Sequence, residues 1–128
     1  MRPDQITVLF DLDGTLIDSS EDLARAANEM LSSMGRPLVP LSDVESWIGH
    51  GLPQLINRCL TLEFDGTAPK QEFDQGISCF RRSYLETGFT KTRLLPGALA
   101  LLGSLRTTGY RVGLVTNKDT IPTEAVLK

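Results

Sequence analysis

Ile6-Thr7-Val8-Leu9-Phe10-Asp11-Leu12-Asp13-Gly14-Thr15 decides how this chain is read. The first half is a short apolar run with β-branched residues, so residues 5–11 are expected to form a buried strand. The second half sets two carboxylates two positions apart where that strand ends. Charges at the tip of a buried strand are costly unless something uses them. In open α/β sheets, ligands bind in the crevice beyond the carboxyl ends of the strands. A pair of acids there can hold a divalent cation and attack an electrophile such as phosphorus.

Downstream, the pattern turns helical. Ser19, with Asp22 three residues on, is expected to cap a helix striped by Leu23, Ala26, Ala27, Met30, Leu31 and Met34, which stops at Gly35. Ser42 and Glu45 repeat the capping pattern before a short helix carrying Val44, Trp47 and Ile48. After Gly49-His50-Gly51, a third helix shows Leu52, Leu55, Ile56, Cys59 and Leu60. A fourth, from about Lys70 to Gly88, shows Phe73, Ile77, Phe80 and Tyr84. Leu94-Leu95-Pro96-Gly97 then opens a leucine-rich helix that ends near Gly109. Tyr110 to Val115 reads as a second strand with Thr116-Asn117 at its carboxyl end, and a further helix is expected from about Thr120.

This order predicts an α/β fold: a partial Rossmann-like parallel-sheet core with an inserted helical cap. Residues 1–17 are expected to begin the core, 18–90 to form the cap, and 91–128 to resume the core. Two parallel strands alone would leave edges and apolar surface uncovered, so the chain is expected to be truncated after its second motif.

Composition narrows the class. The 128 residues are 41% hydrophobic and 23% charged with a formal charge of −3, enough apolar material for a core and no basic footprint for nucleic acid. No stretch approaches membrane-spanning length, and a cytoplasmic location is expected. Cys59 and Cys79 lack metal-ligand spacing and are expected to be buried free thiols. Oligomeric state leaves no signature.

A parallel sheet would bring Asp11, Asp13, Thr116 and Asn117 to one edge. A carboxylate can attack phosphorus to give an acyl-phosphate, and a second carboxyl can protonate the leaving oxygen and then serve water as a base. A hydroxyl and backbone N–H groups at a strand-to-helix turn can bind phosphoryl oxygens. Magnesium would offset repulsion between the anions that must meet.

Phe10-Asp-Leu-Asp-Gly-Thr-Leu-Ile-Asp-Ser19 resembles the first motif of the haloacid dehalogenase (HAD) superfamily of phosphohydrolases, and Leu114-Val-Thr-Asn-Lys118 resembles the second. Trp47-Ile-Gly-His-Gly51 and Thr92-Arg-Leu-Leu-Pro-Gly97 are similar to segments of the phosphoglycolate phosphatases. The resemblance implies a HAD-like core and a helical cap. It also implies hydrolysis of a small phosphorylated metabolite, 2-phosphoglycolate foremost, through an aspartyl-phosphate with Mg2+. It makes Asp11 the nucleophile and a metal ligand. Asp13 becomes the general acid/base, binding the metal through its backbone carbonyl. Thr116, Asn117 and Gly14 fall in the phosphate site, and Thr15 helps shape the loop. Dehalogenase chemistry is disfavoured, because those relatives generally lack the second acid, kept here as Asp13.

The family's later lysine and later acidic motif have no counterpart in these residues, so the chain alone is expected to be weak or inactive. Lys118 adjoins the second motif and is expected to be distinct from that lysine. Arg93, in the return to the core, and His50, between two glycines, are candidates for substrate specificity, although an exposed turn suits His50 as well. Arg58 is expected to be exposed and Asp18 to serve a turn or cap. The rival reading is a non-catalytic protein that binds phosphorylated ligands or a protein partner.

Overall fold

Two hydrogen-bonded pairs of strands organise the chain. The computed structural model describes residues 1–118, 122–124 and 127. Strand β1 (Thr7–Phe10) pairs in parallel with β4 (Arg111–Leu114), in a register that sets Thr7 opposite Arg111 and Phe10 opposite Leu114. Two-residue strands β2 (Ile17–Asp18) and β3 (Arg93–Leu94) pair antiparallel, and there the chain leaves the sheet region and returns to it. Between them lie α1 (Ser20–Ser33), α2 (Leu41–Trp47), α3 (Leu52–Thr61) and α4 (Lys70–Thr87). Helix α5 (Ala98–Thr108) leads into β4. The β2–β3 pair was not legible in the sequence, because two residues per strand carry no periodicity.

The expected elements are present with shifted ends, but β1, expected to be buried, alternates exposed and half-buried side chains, because among the described residues it pairs with β4 alone. Gln5 belongs to a 3-10 turn over Pro3–Gln5, so β1 starts later than expected. Helix α2 begins at Leu41 with Pro40 at its N-cap, two residues ahead of the cap expected at Ser42. The helix expected from about Thr120 falls partly outside the described residues; Pro122 to Glu124 are helical.

The helical stripes behave as amphipathic faces do. Ala26, Ala27, Met30 and Leu31 of α1 pack with Val44, Ile56, Ile77 and Phe80 from the other three helices. Gly76 permits the closest approach of α4, since a Cβ there would lie 3.1 Å from the Met30 sulfur. A second, smaller cluster joins Leu12, Leu16, Ile17 and Ala98, with Phe10, Leu102 and Leu114 packed against it.

Several side chains depart from expectation. Arg58 is buried at 3% exposure; its guanidinium donates to the Trp47 and Phe64 carbonyls, faces His50 Nδ1 at 3.1 Å and lies 3.7 Å over the Phe64 ring. A planar guanidinium with fixed donors can satisfy itself on backbone carbonyls, which allows a charge into a helical core. Cys59 is buried, with its thiol pushed up to about 12 by burial, whereas Cys79 is only half-buried beside Ser33 Oγ. Both are free thiols. Asp22 does not close a capping box. It is buried, and its Oδ2 accepts from the Lys91 N–H and the Thr92 hydroxyl, fastening the returning chain to α1.

Candidate active site

The parallel ladder does not stop at the last paired strand residues. The Val115 N–H donates to the Phe10 carbonyl at 2.8 Å. Asp11 and Thr116 are the next residues along each chain, so the two segments leave the sheet side by side. Asp11, Asp13, Thr116, Asn117 and Lys118 line one cleft, roofed by Ile48, Leu52, Leu55 and Phe80 of the helical block. Four of the sequence-predicted residues are therefore together.

Local bonds orient each of them. Asp11 Oδ1 accepts the Leu12 N–H at 2.8 Å. Gly14, at φ +80°, donates its N–H to the Ile17 carbonyl and turns the chain back so that Asp13 faces the cleft. A side chain at that φ would be strained. Gly14 itself lines an adjoining groove with Asp18, Ser19 and Ser20, and its amide is engaged within the loop. Thr116 Oγ1 accepts the Lys118 N–H at 3.1 Å, which leaves the hydroxyl proton for another acceptor. The Asn117 side-chain amide donates to the Gly49 carbonyl, so the loop 49–51 of the helical block rests against the second motif.

Three contributors were not read from the sequence. Ser19 occupies the α1 N-cap position, yet its hydroxyl donates to Asp13 Oδ1 at 2.5 Å and makes no side-chain cap. Lys118 Nζ lies 3.1 Å from Asp13 Oδ1 and 2.7 Å from the Tyr84 hydroxyl oxygen. The Lys118 and Asp13 side chains are only 5% and 12% exposed. Tyr84, on α4, has its phenol pushed above the ordinary range, first by burial and then by the Asp13 and Asp22 carboxylates. The only signal for Lys118 was its place directly after the second motif. Ser19 and Tyr84 needed the fold.

Arg93 and His50 are not brought into the cleft. Arg93 is exposed on β3 opposite Asp18, and His50 is exposed beside Arg58 with its ring edge-on to Phe64. Asp18 accepts from the Ser20 N–H and hydroxyl, the turn role expected of it, and these bonds lower its pKa.

Among the described residues, no group of three or more His, Cys, Asp or Glu side chains could hold a metal ion. Asp11 and Asp13 offer hard oxygen donors on one cleft, and magnesium is commonly held by one or two carboxylates together with water and phosphate oxygens. The residues present fit that ion. No helix among the described residues is long and apolar enough to cross a membrane.

Fold and cleft together define an α/β protein with an acid-lined cleft at the tips of parallel strands. The family model for haloacid dehalogenase-like hydrolases matches residues 8–128, and the chain belongs to that family. It is 41% identical over 111 residues to a phosphoglycolate phosphatase of Nitrosospira multiformis, a match covering 87% of this chain and 49% of that protein. A phosphoglycolate phosphatase of Cupriavidus necator is 41% identical over 111 residues, with 47% of its length matched. Among solved structures, a protein from Haemophilus somnus described as a predicted phosphoglycolate phosphatase is 32% identical. It superposes with a TM-score of 0.79 over 91% of this chain and 52% of its own. A Lactobacillus delbrueckii structure reaches 0.84 at 24% identity, which speaks to the fold alone. The chain spans about half the length of the curated relatives it matches.

Proposed function

We propose that this chain carries the nucleophile and proton-handling half of a magnesium-dependent phosphomonoesterase acting on a small phosphorylated metabolite, with 2-phosphoglycolate the first candidate. In this reading residues 1–17 and 91–128 form the core and 18–90 the cap. An Asp11 carboxylate oxygen attacks phosphorus as the ester P–O bond breaks, and the leaving oxygen takes a proton from Asp13. Water then attacks the acyl-phosphate and gives a proton back to Asp13, while the bond to Asp11 breaks and inorganic phosphate departs. The Thr116 hydroxyl and the Asn117 amide hold the phosphoryl oxygens. Asp11 and the Asp13 loop would hold magnesium, which would supply charge compensation when bound. The apolar roof excludes water from the reacting atoms.

The Val115–Phe10 hydrogen bond is the strongest support, because it holds Asp11 and Thr116 adjacent whatever the helical block does. The names of the 41%-identical relatives support the substrate class. The test is phosphate release from 2-phosphoglycolate, with magnesium and after chelation, by the unaltered chain and by Asp11→Asn. Weak release that requires the ion and falls to background in the variant is expected of this half-length chain. Undiminished release in Asp11→Asn would overturn the nucleophile.

A further inference from the structure

The cleft is anionic before any ligand arrives, since it holds two carboxylates. Among the described residues lining it, Lys118 is the one cationic side chain. Its position is specific. It sits beside Asp13, on the side where α4 of the helical block closes over the site, and its ammonium is nearly withdrawn from solvent. An ammonium has three N–H donors. Asp13 and the Tyr84 oxygen take two directions, and a third remains for a ligand in the cleft that Lys118 lines.

We infer that Lys118 is a specificity-determining residue that pairs with a carboxylate on the leaving-group side of the substrate. This rests on the phosphatase reading, in which Asp13 protonates the leaving oxygen. Whatever is attached to that oxygen therefore lies next to Asp13, and so next to the Lys118 ammonium. A carboxylate one carbon from the ester oxygen can accept from the ammonium's remaining donor there, whereas an uncharged group leaves that donor unmatched. Because low local dielectric strengthens charge-assisted bonds, the preference should be large. The Tyr84 hydroxyl oxygen, on α4, accepts from the same ammonium.

The experiment compares 2-phosphoglycolate with ethyl phosphate, which replaces the carboxylate by a methyl group. Each is titrated calorimetrically into the full chain with magnesium, and kcat and KM are measured wherever phosphate is released. The unaltered chain should prefer 2-phosphoglycolate. Lys118→Met should erase roughly tenfold or more of that preference, through weaker binding or higher KM for 2-phosphoglycolate alone. Lys118→Arg should restore part of it. Tyr84→Phe keeps the cation and removes one competing partner, so it should retain the preference, and this variant covers the case in which Lys118→Met perturbs folding. If Lys118→Met weakens both compounds equally, the lysine only orients Asp13 and the inference is wrong. An unchanged preference in Lys118→Met, beside lost turnover in Asp11→Asn, sinks the inference and spares the phosphatase reading. No binding of either compound by the unaltered chain sinks both.

Discussion

The helical block and the sheet region are built to different standards. Among the described residues, seventeen buried side chains form the cluster of the helical block and its connections, against four around the β1–β4 pair and α5. Leu9 on β1 is 62% exposed, and Val112, Val115 and Leu99 are exposed as well. The difference follows from geometry. Successive amphipathic helices can bury their stripes against one another within one stretch of chain. Parallel strands need neighbours on both sides and layers on both faces, supplied from distant sequence. The site stands on the boundary: its carboxylates and its threonine come from the sparsely covered sheet, and its roof comes from the well-packed helices.

That contrast can be tested by stability, starting with the largest effect. Met30→Ala removes a fully buried side chain at the α1–α4 contact and should cost about 2–5 kcal/mol, read by chemical denaturation. Asp22→Asn weakens the buried tie to Lys91 and Thr92 and should cost about 1–3 kcal/mol. Thiol labelling at neutral pH gives a graded readout: half-buried Cys79 should react well before Cys59, whose pKa stands at about 12, and Met30→Ala should speed Cys59 alone. Leu9→Thr should change stability by no more than about 0.5 kcal/mol, and a loss near that of Met30→Ala would erase the contrast.

The smallest effect is a pH dependence. The Ser83 hydroxyl donates to Glu29 and, as the largest influence, holds its pKa below the ordinary 4.5; desolvation opposes it and Arg25 assists. A depressed carboxylate contributes stability that is present above its unfolded value and lost as pH falls through the folded one. Ser83→Ala should therefore lower stability slightly at neutral pH, leave it unchanged once pH is below the folded pKa, and so flatten the acid limb between them. An identical acid limb in the variant would show that the bond contributes nothing.

Much of the candidate site could be read directly. Asp11 and Asp13 announce themselves because two acids after an apolar strand have few other reasons to be there, and Thr116-Asn117 stands at the matching point of the second strand. The four long helical stripes were legible because periodicity over ten or more residues is a strong signal. Arg58, Ser19 and Asp22 were misread for a common reason. Each follows a local pattern, exposed arginine or helix cap, that a tertiary partner overrides: carbonyls 11 and 6 residues away for Arg58, Asp13 for Ser19, and Lys91 with Thr92 for Asp22.

The chemistry-bearing residue types, their spacing along the chain and the alternation of apolar faces were set by the sequence alone, since each depends only on the 2.0- and 3.6-residue periods of backbone geometry. Which side chains meet across the cleft was decided by the tertiary structure. The ammonium of Lys118 between Asp13 and Tyr84 joins residues 105 and 34 positions apart, and no local rule contains such distances. A desolvated charge chooses its partners in three dimensions, because leaving it unpaired in a buried place costs more than any local preference can return.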